Sequence, residues 1–192
     1  MIIGLVGFIG SGKGTIADNL VQRHGFVKES FANSVKDSVA AVFGWHRDWL
    51  EGDTPESRQW RETKDEWWSN ALGREVTPRW ALQLMGTEAG RDVFHPDLWV
   101  HTAFRRMDWN PLDHYVIADV RFPNEIKAIQ KYGGKCVRVE RGLPPKLENL
   151  HVSETAWLHT PLDAYLNNDC TLEVLAERVD NLIDSLYNNA VR

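Results

Sequence analysis

Near the start of the chain a glycine-rich run, Gly7-Phe8-Ile9-Gly10-Ser11-Gly12-Lys13-Gly14-Thr15, fits the spacing G-x-x-x-x-G-K. It lies between an apolar run, Ile2 to Val6, and a segment of helical periodicity that begins at Lys13. In that setting the residue types have a specific use. Glycines let the backbone wrap closely round a phosphate. Successive N–H groups and a helix N-terminus point at the anion, and the lysine adds charge near the bridging and terminal phosphate oxygens. Gly10, Ser11, Gly12, Lys13, Gly14 and Thr15 are therefore the expected phosphate-binding residues. Ser or Thr usually follows the lysine as a magnesium ligand, but here Gly14 does. Thr15 is the remaining candidate to reach phosphate or Mg2+, directly or through water. The guanine-reading N-K-x-D pattern is missing, which argues against a switch GTPase.

A phosphate loop binds a nucleotide, and a phosphoryl acceptor needs a site of its own. Transfer to a phosphate oxygen requires alignment, charge neutralisation and exclusion of water rather than covalent help. Arginines are the residues to seek, because their planar forks grip phosphate bidentately. Three clusters qualify. Arg79 and Gln83 are four apart and share a helix face, with Gly86-Thr87 where that helix is expected to end. The alternative is a solvated charge on an ordinary helix. Asp119-Val120-Arg121, with Glu125 beyond, directly follows the apolar run Tyr115 to Ala118. Ligands of open parallel sheets bind outside the carboxyl ends of strands, so Asp119 suits either a Walker-B-like role near Mg2+ or a hydrogen bond to the acceptor. Arg138 to Arg141 ends another apolar run and opens a Gly/Pro loop, where Arg141 is a lid arginine or a surface charge.

The elements that must carry these groups alternate from end to end. Strands are expected at Ile2 to Val6, Phe26 to Glu29, Tyr115 to Ala118, Lys135 to Val139 and Ala164 to Leu166. Helices are expected at Lys13 to Arg23, Val35 to Phe43, Pro78 to Leu84 or Met85 with Thr77 as N-cap, Asp97 to Trp109, and Asn124 to Tyr132. Thr171 caps a last helix whose stripe is Leu172, Leu175, Val179, Leu182, Ile183 and Leu186. Such alternation predicts an α/β fold of three layers, a parallel sheet flanked by helices. Residues 44–76 are polar, charged and Trp-rich and read as a helical insertion; residues 141–151 read as a lid loop. Both belong to a single domain over 1–192.

Composition excludes other classes. The chain has 192 residues and a net charge of −5, unlike a protein whose main partner is a nucleic-acid backbone. It has neither a membrane-length apolar stretch nor a basic leader, so a cytoplasmic protein without membrane partners is expected. Cys136 and Cys170 lack metal-ligand spacing and read as reduced thiols. Of nine tryptophans, seven lie between Trp45 and Trp99, either as packing or as an aromatic wall for a ring-shaped ligand. The seven histidines are scattered and read as structural or surface groups, with a site-lining role open for His151.

The form Gly-x-Gly-Lys-Gly-Thr resembles adenylate-kinase-like nucleoside monophosphate kinases. With Phe31-Ala32 and Lys36, Arg79 to Thr87, Trp99, Asp119-Val-Arg121 with Glu125, the strand to Arg141, His151-Val-Ser153-Glu154 and Asn168-Asp169, most of the chain resembles the deoxynucleoside monophosphate kinases of tailed bacteriophages. That resemblance implies a P-loop kinase that moves a phosphoryl group from ATP, with Mg2+, to a (deoxy)nucleoside monophosphate. It implies catalytic roles for Lys13, Arg79, Arg121 and Arg141. It also implies an acceptor pocket of Lys36, Arg58, Arg79, Gln83, Gly86, Thr87, Trp99, Asp119, Arg121 and Glu125, in which Trp99 stacks on the base or packs beneath it. The Arg58 segment aligns loosely, with a one-residue shift. A phage-encoded chain of this kind works in the host cytoplasm on small nucleotides, as a monomer or homodimer. Two other readings compete: a P-loop kinase for a sugar acid or dephospho-coenzyme A, and a non-catalytic ATP-binding module.

Overall fold

Five short apolar runs become one parallel sheet. Its strands are β1 (Ile2–Val6), β2 (Val27–Glu29), β3 (Tyr115–Val120), β4 (Lys135–Glu140) and β5 (Ala164–Asn167), hydrogen-bonded in the order β2-β3-β1-β4-β5. In chain order the helices are α1 (Lys13–His24), α2 (Asn33–Phe43), α3 (Pro55–Glu62), α4 (Glu66–Leu72), α5 (Pro78–Leu84), α6 (Leu98–Met107), α7 (Pro123–Lys131) and α8 (Leu172–Ala190). A 3-10 turn occupies Arg47–Leu50 and a π-helix Met85–Phe94. This computed structural model describes residues 1–108, 110, 112–143 and 155–190. Trp109, His151, Ser153, Glu154 and the lid beyond Leu143 lie outside the described residues. The chain divides into two units, Met1–Ser30 with Met107–Arg192, and Phe31–Arg106.

The first unit is built on alternation within its strands. Ile3 and Leu5 of β1 face one side of the sheet, where Ile16, Ala17 and Leu20 of α1 and Leu175, Val179 and Ile183 of α8 close over them. Burying each such side chain stabilises the fold by about 1.5–3 kcal/mol. On the opposite side, Ile129 of α7 lies against Gly4, where an added Cβ would sit 2.6 Å from its Cδ1. Both faces are covered, which is why these strands are apolar throughout. Leu172, the first residue of the expected α8 stripe, is instead 69% exposed at the helix end. Cys136 is a buried free thiol and Cys170 a partly exposed one. Burial pushes the Cys136 thiol up to about 12.

The order of strands places the winding reversal at β1, since β2 and β3 lie to one side of it and β4 and β5 to the other. The carboxyl end of β1 is the switch point at which open α/β sheets hold their ligands.

The second unit is helical. Thr54 accepts from Ser57 N at 3.1 Å to cap α3, Asp65 from Trp68 N at 2.9 Å to cap α4, and Thr77 from Trp80 N at 3.1 Å to cap α5. Its core is Val39, Leu50 and Ala81 ringed by Phe43, Trp45, Trp60 and Trp80. Phe43 stacks on Trp45 at 4.5 Å, and Trp60 meets Trp45 and Trp49 edge-on at 5.9 and 5.7 Å. Trp45 Nε1 donates to Asp65 and Trp68 Nε1 to the Phe43 carbonyl. These indoles are used in mutual packing and not as a wall for a ligand ring.

Two elements differ from expectation. β3 runs on through Val120, so Asp119 is inside the strand and not beyond it. The α5 helix does not stop before Gly86-Thr87 but continues as the π-helix. The wider turn depends on Gly90, because a Cβ there would lie 2.3 Å from the Trp99 ring. Among the described residues, no helix is long and apolar enough to cross a membrane.

Candidate active site

Gly7 to Gly12 join β1 to α1. Gly10 and Gly12 adopt φ of 81° and 93°, conformations that side chains disfavour. Gly12 has a second reason to be glycine: a Cβ there would fall 2.0 Å from Asn168 Nδ2. That amide is buried and donates to Ser11 O at 2.8 Å, while Asn168 N donates to Glu140 O at 2.7 Å. The segment after β5 thus clamps the loop to the end of β4. Lys13 Nζ folds back to Gly7 O and Phe8 O at 2.6 and 2.8 Å. Ser11 Oγ is buried without a hydrogen-bond partner among the described residues. The space beside Gly10 and Gly14 is open. A buried hydroxyl, an open backbone edge and an ammonium seated on backbone carbonyls suit a polyphosphate.

A cavity of about 360 Å³ adjoins this loop, lined by Phe8, Ile9, Gly10, Ser11, Val139, Glu140, Arg141, Gly142 and Leu143. Arg141 is brought to the phosphate loop, as a lid arginine requires. At the far ends of β2 and β3, Ser30 Oγ donates to Asp119 at 2.7 Å and Ser30 N to Glu29 at 2.7 Å. Oxygen donors of this kind, with the exposed Thr15 hydroxyl, suit a hard cation such as Mg2+. Glu125 is buried at the start of α7 and accepts from Arg121 N and Phe122 N at 2.7 and 3.0 Å. Its carboxylate serves the backbone and fixes the turn that projects Arg121.

The second unit holds the other expected residues. Lys36 Nζ pairs with Glu51 at 2.7 Å, and Glu51 also binds Arg47. Burial raises the Glu51 carboxyl, but the two cations outweigh it and hold its pKa below the ordinary value. Arg79 pairs with Glu62 on the exposed side of α5, and Gln83 and Thr87 are exposed beyond it. Trp99 is 5% exposed and donates from Nε1 to Gly86 O at 2.9 Å. It packs beneath the π-helix and offers no face for stacking. Arg58 is an exposed turn clasp, donating to Gly52 O and Asp53 O at 2.9 and 3.0 Å.

Sequence reasoning overlooked Arg61. Its guanidinium crosses Gly52, donates weakly to Glu51 O at 3.4 Å, and leaves a buried Nε without a partner. Burial and the neighbouring Arg79 charge both lower its pKa. Glu51 and Glu62 offset part of that effect, and the planar guanidinium has the shape to grip a phosphate. The helical spacing of Arg58 and Arg61 in α3 is the signal that points to it. In the sequence Asn168 is marked only by the resemblance, with no role assigned to its amide.

A phosphate loop at the switch point of a five-stranded parallel sheet, flanked by helices, defines a P-loop protein of the α/β kinase type. Over 96% of its length the chain is 31% identical to a protein of Acanthamoeba polyphaga mimivirus named as a deoxynucleotide monophosphate kinase, covering 97% of it. A second match, 44% identical over 50 residues, covers 26% of this chain and 20% of the deoxynucleoside-5'-monophosphate kinase of Escherichia phage T5. Among solved structures, the TT1252 protein of Thermus thermophilus superposes with a TM-score of 0.51 at 17% identity, covering 96% of both chains, a likeness of fold. No family model matches the chain. The chain belongs to the deoxynucleotide monophosphate kinase family.

Proposed function

We propose that this chain transfers the γ-phosphoryl group of ATP to a deoxynucleoside monophosphate, giving ADP and the deoxynucleoside diphosphate. The observation that carries this reading is the loop between β1 and α1, with its positive-φ glycines, orphaned Ser11 hydroxyl and Lys13 poised over backbone carbonyls. In the loaded protein Lys13 exchanges those carbonyls for phosphate oxygens and neutralises charge as the γ-phosphoryl group leaves. Arg141 covers the donor phosphates. Within the first unit Arg121, set by Glu125, supplies positive charge beyond β3; within the second, Arg61 and Arg79 supply it for the acceptor phosphate, because polyanions repel strongly where water is excluded. Lys36, Gln83, Gly86 and Thr87 recognise sugar and base. Trp99 supports the Gly86–Thr87 segment, and Arg58 holds the turn that carries Arg61. Mg2+, held by Thr15 and Asp119, would supply charge compensation between the donor phosphates. No general base is needed, since the acceptor phosphate is already ionised.

We read the whole chain as one P-loop kinase domain with its insertion and lid. It acts on free nucleotides in the cytoplasm of an infected host, as a monomer or homodimer without nucleic-acid partners. The test is ADP formation from ATP and Mg2+ with dAMP, dGMP, dCMP, dTMP and the ribonucleotides. Gluconate and dephospho-coenzyme A serve as controls. Turnover with a deoxynucleotide, lost in folded Lys13→Ala, is expected. Turnover only with a control acceptor, or full activity in Lys13→Ala, would overturn the reading.

A further inference from the structure

We propose that His95, Asp97 and His101 form a binding site for a divalent transition metal of the zinc class, separate from the magnesium-nucleotide chemistry. His95 ends the π-helix in extended backbone, Pro96 follows, and Asp97 opens the first turn of α6, its carbonyl accepting from His101 N at 2.9 Å. Asp97, the residue before the helix, thus lies one turn from His101, which is in its first turn. The chain turn at Pro96 returns His95 to the same place: its ring centroid lies 5.6 Å from that of His101. One ligand atom from each of the three residues lies within 4.8 Å of the others. Tetrahedral coordination at about 2.0–2.2 Å brings ligand atoms roughly 3.4 Å apart. His95 and His101 are exposed and Asp97 partly so, and rotation about their side-chain bonds would close that gap.

The donor set decides the metal. Two imidazoles and one carboxylate suit Zn2+, Co2+ and Ni2+, whereas Mg2+ selects oxygen ligands and retains its water. Three protein ligands leave a fourth position for water. In the metal-free protein His95 Nδ1 accepts from Asp97 N at 3.0 Å. Ligation at that ring competes with this bond, so metal binding is coupled to the conformation of the 95–97 turn. The consequence is local and mechanical. The metal ties the end of the π-helix to the first turn of α6, and Trp99 on that same turn donates to Gly86 O. It therefore rigidifies the helical segment bearing Gly86 and Thr87.

The test uses the full-length, untagged chain stripped with chelator and then dialysed free of it. Titration with Co2+ followed by its d–d absorption, and with Zn2+ by calorimetry, is expected to give one saturable equivalent that Mg2+ does not displace. His95→Ala and His101→Gln, each with an unchanged circular dichroism spectrum, are expected to weaken binding at least tenfold and to abolish the Zn2+-induced rise in Tm. His46→Ala and His159→Ala serve as controls and retain binding. No saturable equivalent, or an unchanged equivalent in the folded His95 and His101 variants, overturns the site.

Discussion

Asn168 Nδ2 donates to the carbonyl of Ser11 at 2.8 Å, 157 positions away in sequence. A residue just past the edge strand thereby sets the shape of the phosphate loop at the other end of the chain. Asn168→Ala leaves a buried carbonyl without its donor, a cost of about 1–3 kcal/mol. The KM for ATP is expected to rise about tenfold or more while the deoxynucleotide KM changes little, which two-substrate kinetics would measure. Gly12→Ala should act through the same contact and also strain a backbone at φ 93°.

Arg61 and Arg58 lie three residues apart in one helix and should behave differently. Arg61→Ala is expected to lower kcat/KM for the acceptor by about 100-fold, close to 2.7 kcal/mol of transition-state stabilisation. Arg61→Lys should recover little of it, because an ammonium cannot replace the guanidinium fork. Arg58→Ala should stay within about threefold in kcat/KM and show its effect as a small loss of stability. Equal effects in both variants would contradict the assignment.

Gly90→Ala is expected to destabilise the protein by about 1–3 kcal/mol through overpacking. The added Cβ would lie 2.3 Å from the Trp99 ring and 2.7 Å from the Met85 carbonyl. Urea denaturation reads the loss, and tryptophan fluorescence reports the displaced indole. If the π-helix positions the acceptor, the acceptor KM rises in parallel.

Asp163 makes acid stability specific to one site. Burial alone would raise its carboxyl, but the Cys136 N–H, Gln130 and Lys135 more than offset this and hold its pKa below the ordinary value. A depressed folded pKa contributes stability that is fully present above the unfolded value and is lost as pH falls through the folded one. The contribution should therefore begin to fall below about pH 4 and be lost as pH drops further through the folded value. Asp163→Asn is expected to lower Tm at pH 7 and to flatten the fall in Tm between pH 5 and about 3, as thermal melts across that range would show.

Much of the protein was legible in one dimension. The glycine spacing before Lys13, the short apolar runs of β1, β3 and β4, and the caps at Thr77 and Thr171 are local rules, in which neighbours a few residues apart set backbone geometry. They sufficed for the sheet, its flanking helices and the phosphate loop. Tertiary structure alone decided which polar groups are already in use. Glu125 lies where a ligand residue was expected but is committed to the backbone of Arg121 and Phe122. Trp99 is sealed under Gly86 and Gly90, and Arg58 is tied to its own turn. The partners of Asn168, and the burial that leaves Arg61 in need of an anion, come from segments brought together only by packing. A partner made in the folded chain must be kept, shared or exchanged before a ligand is bound. Residue type and spacing report what a side chain is able to do, and the folded contacts determine whether it is still free to do it.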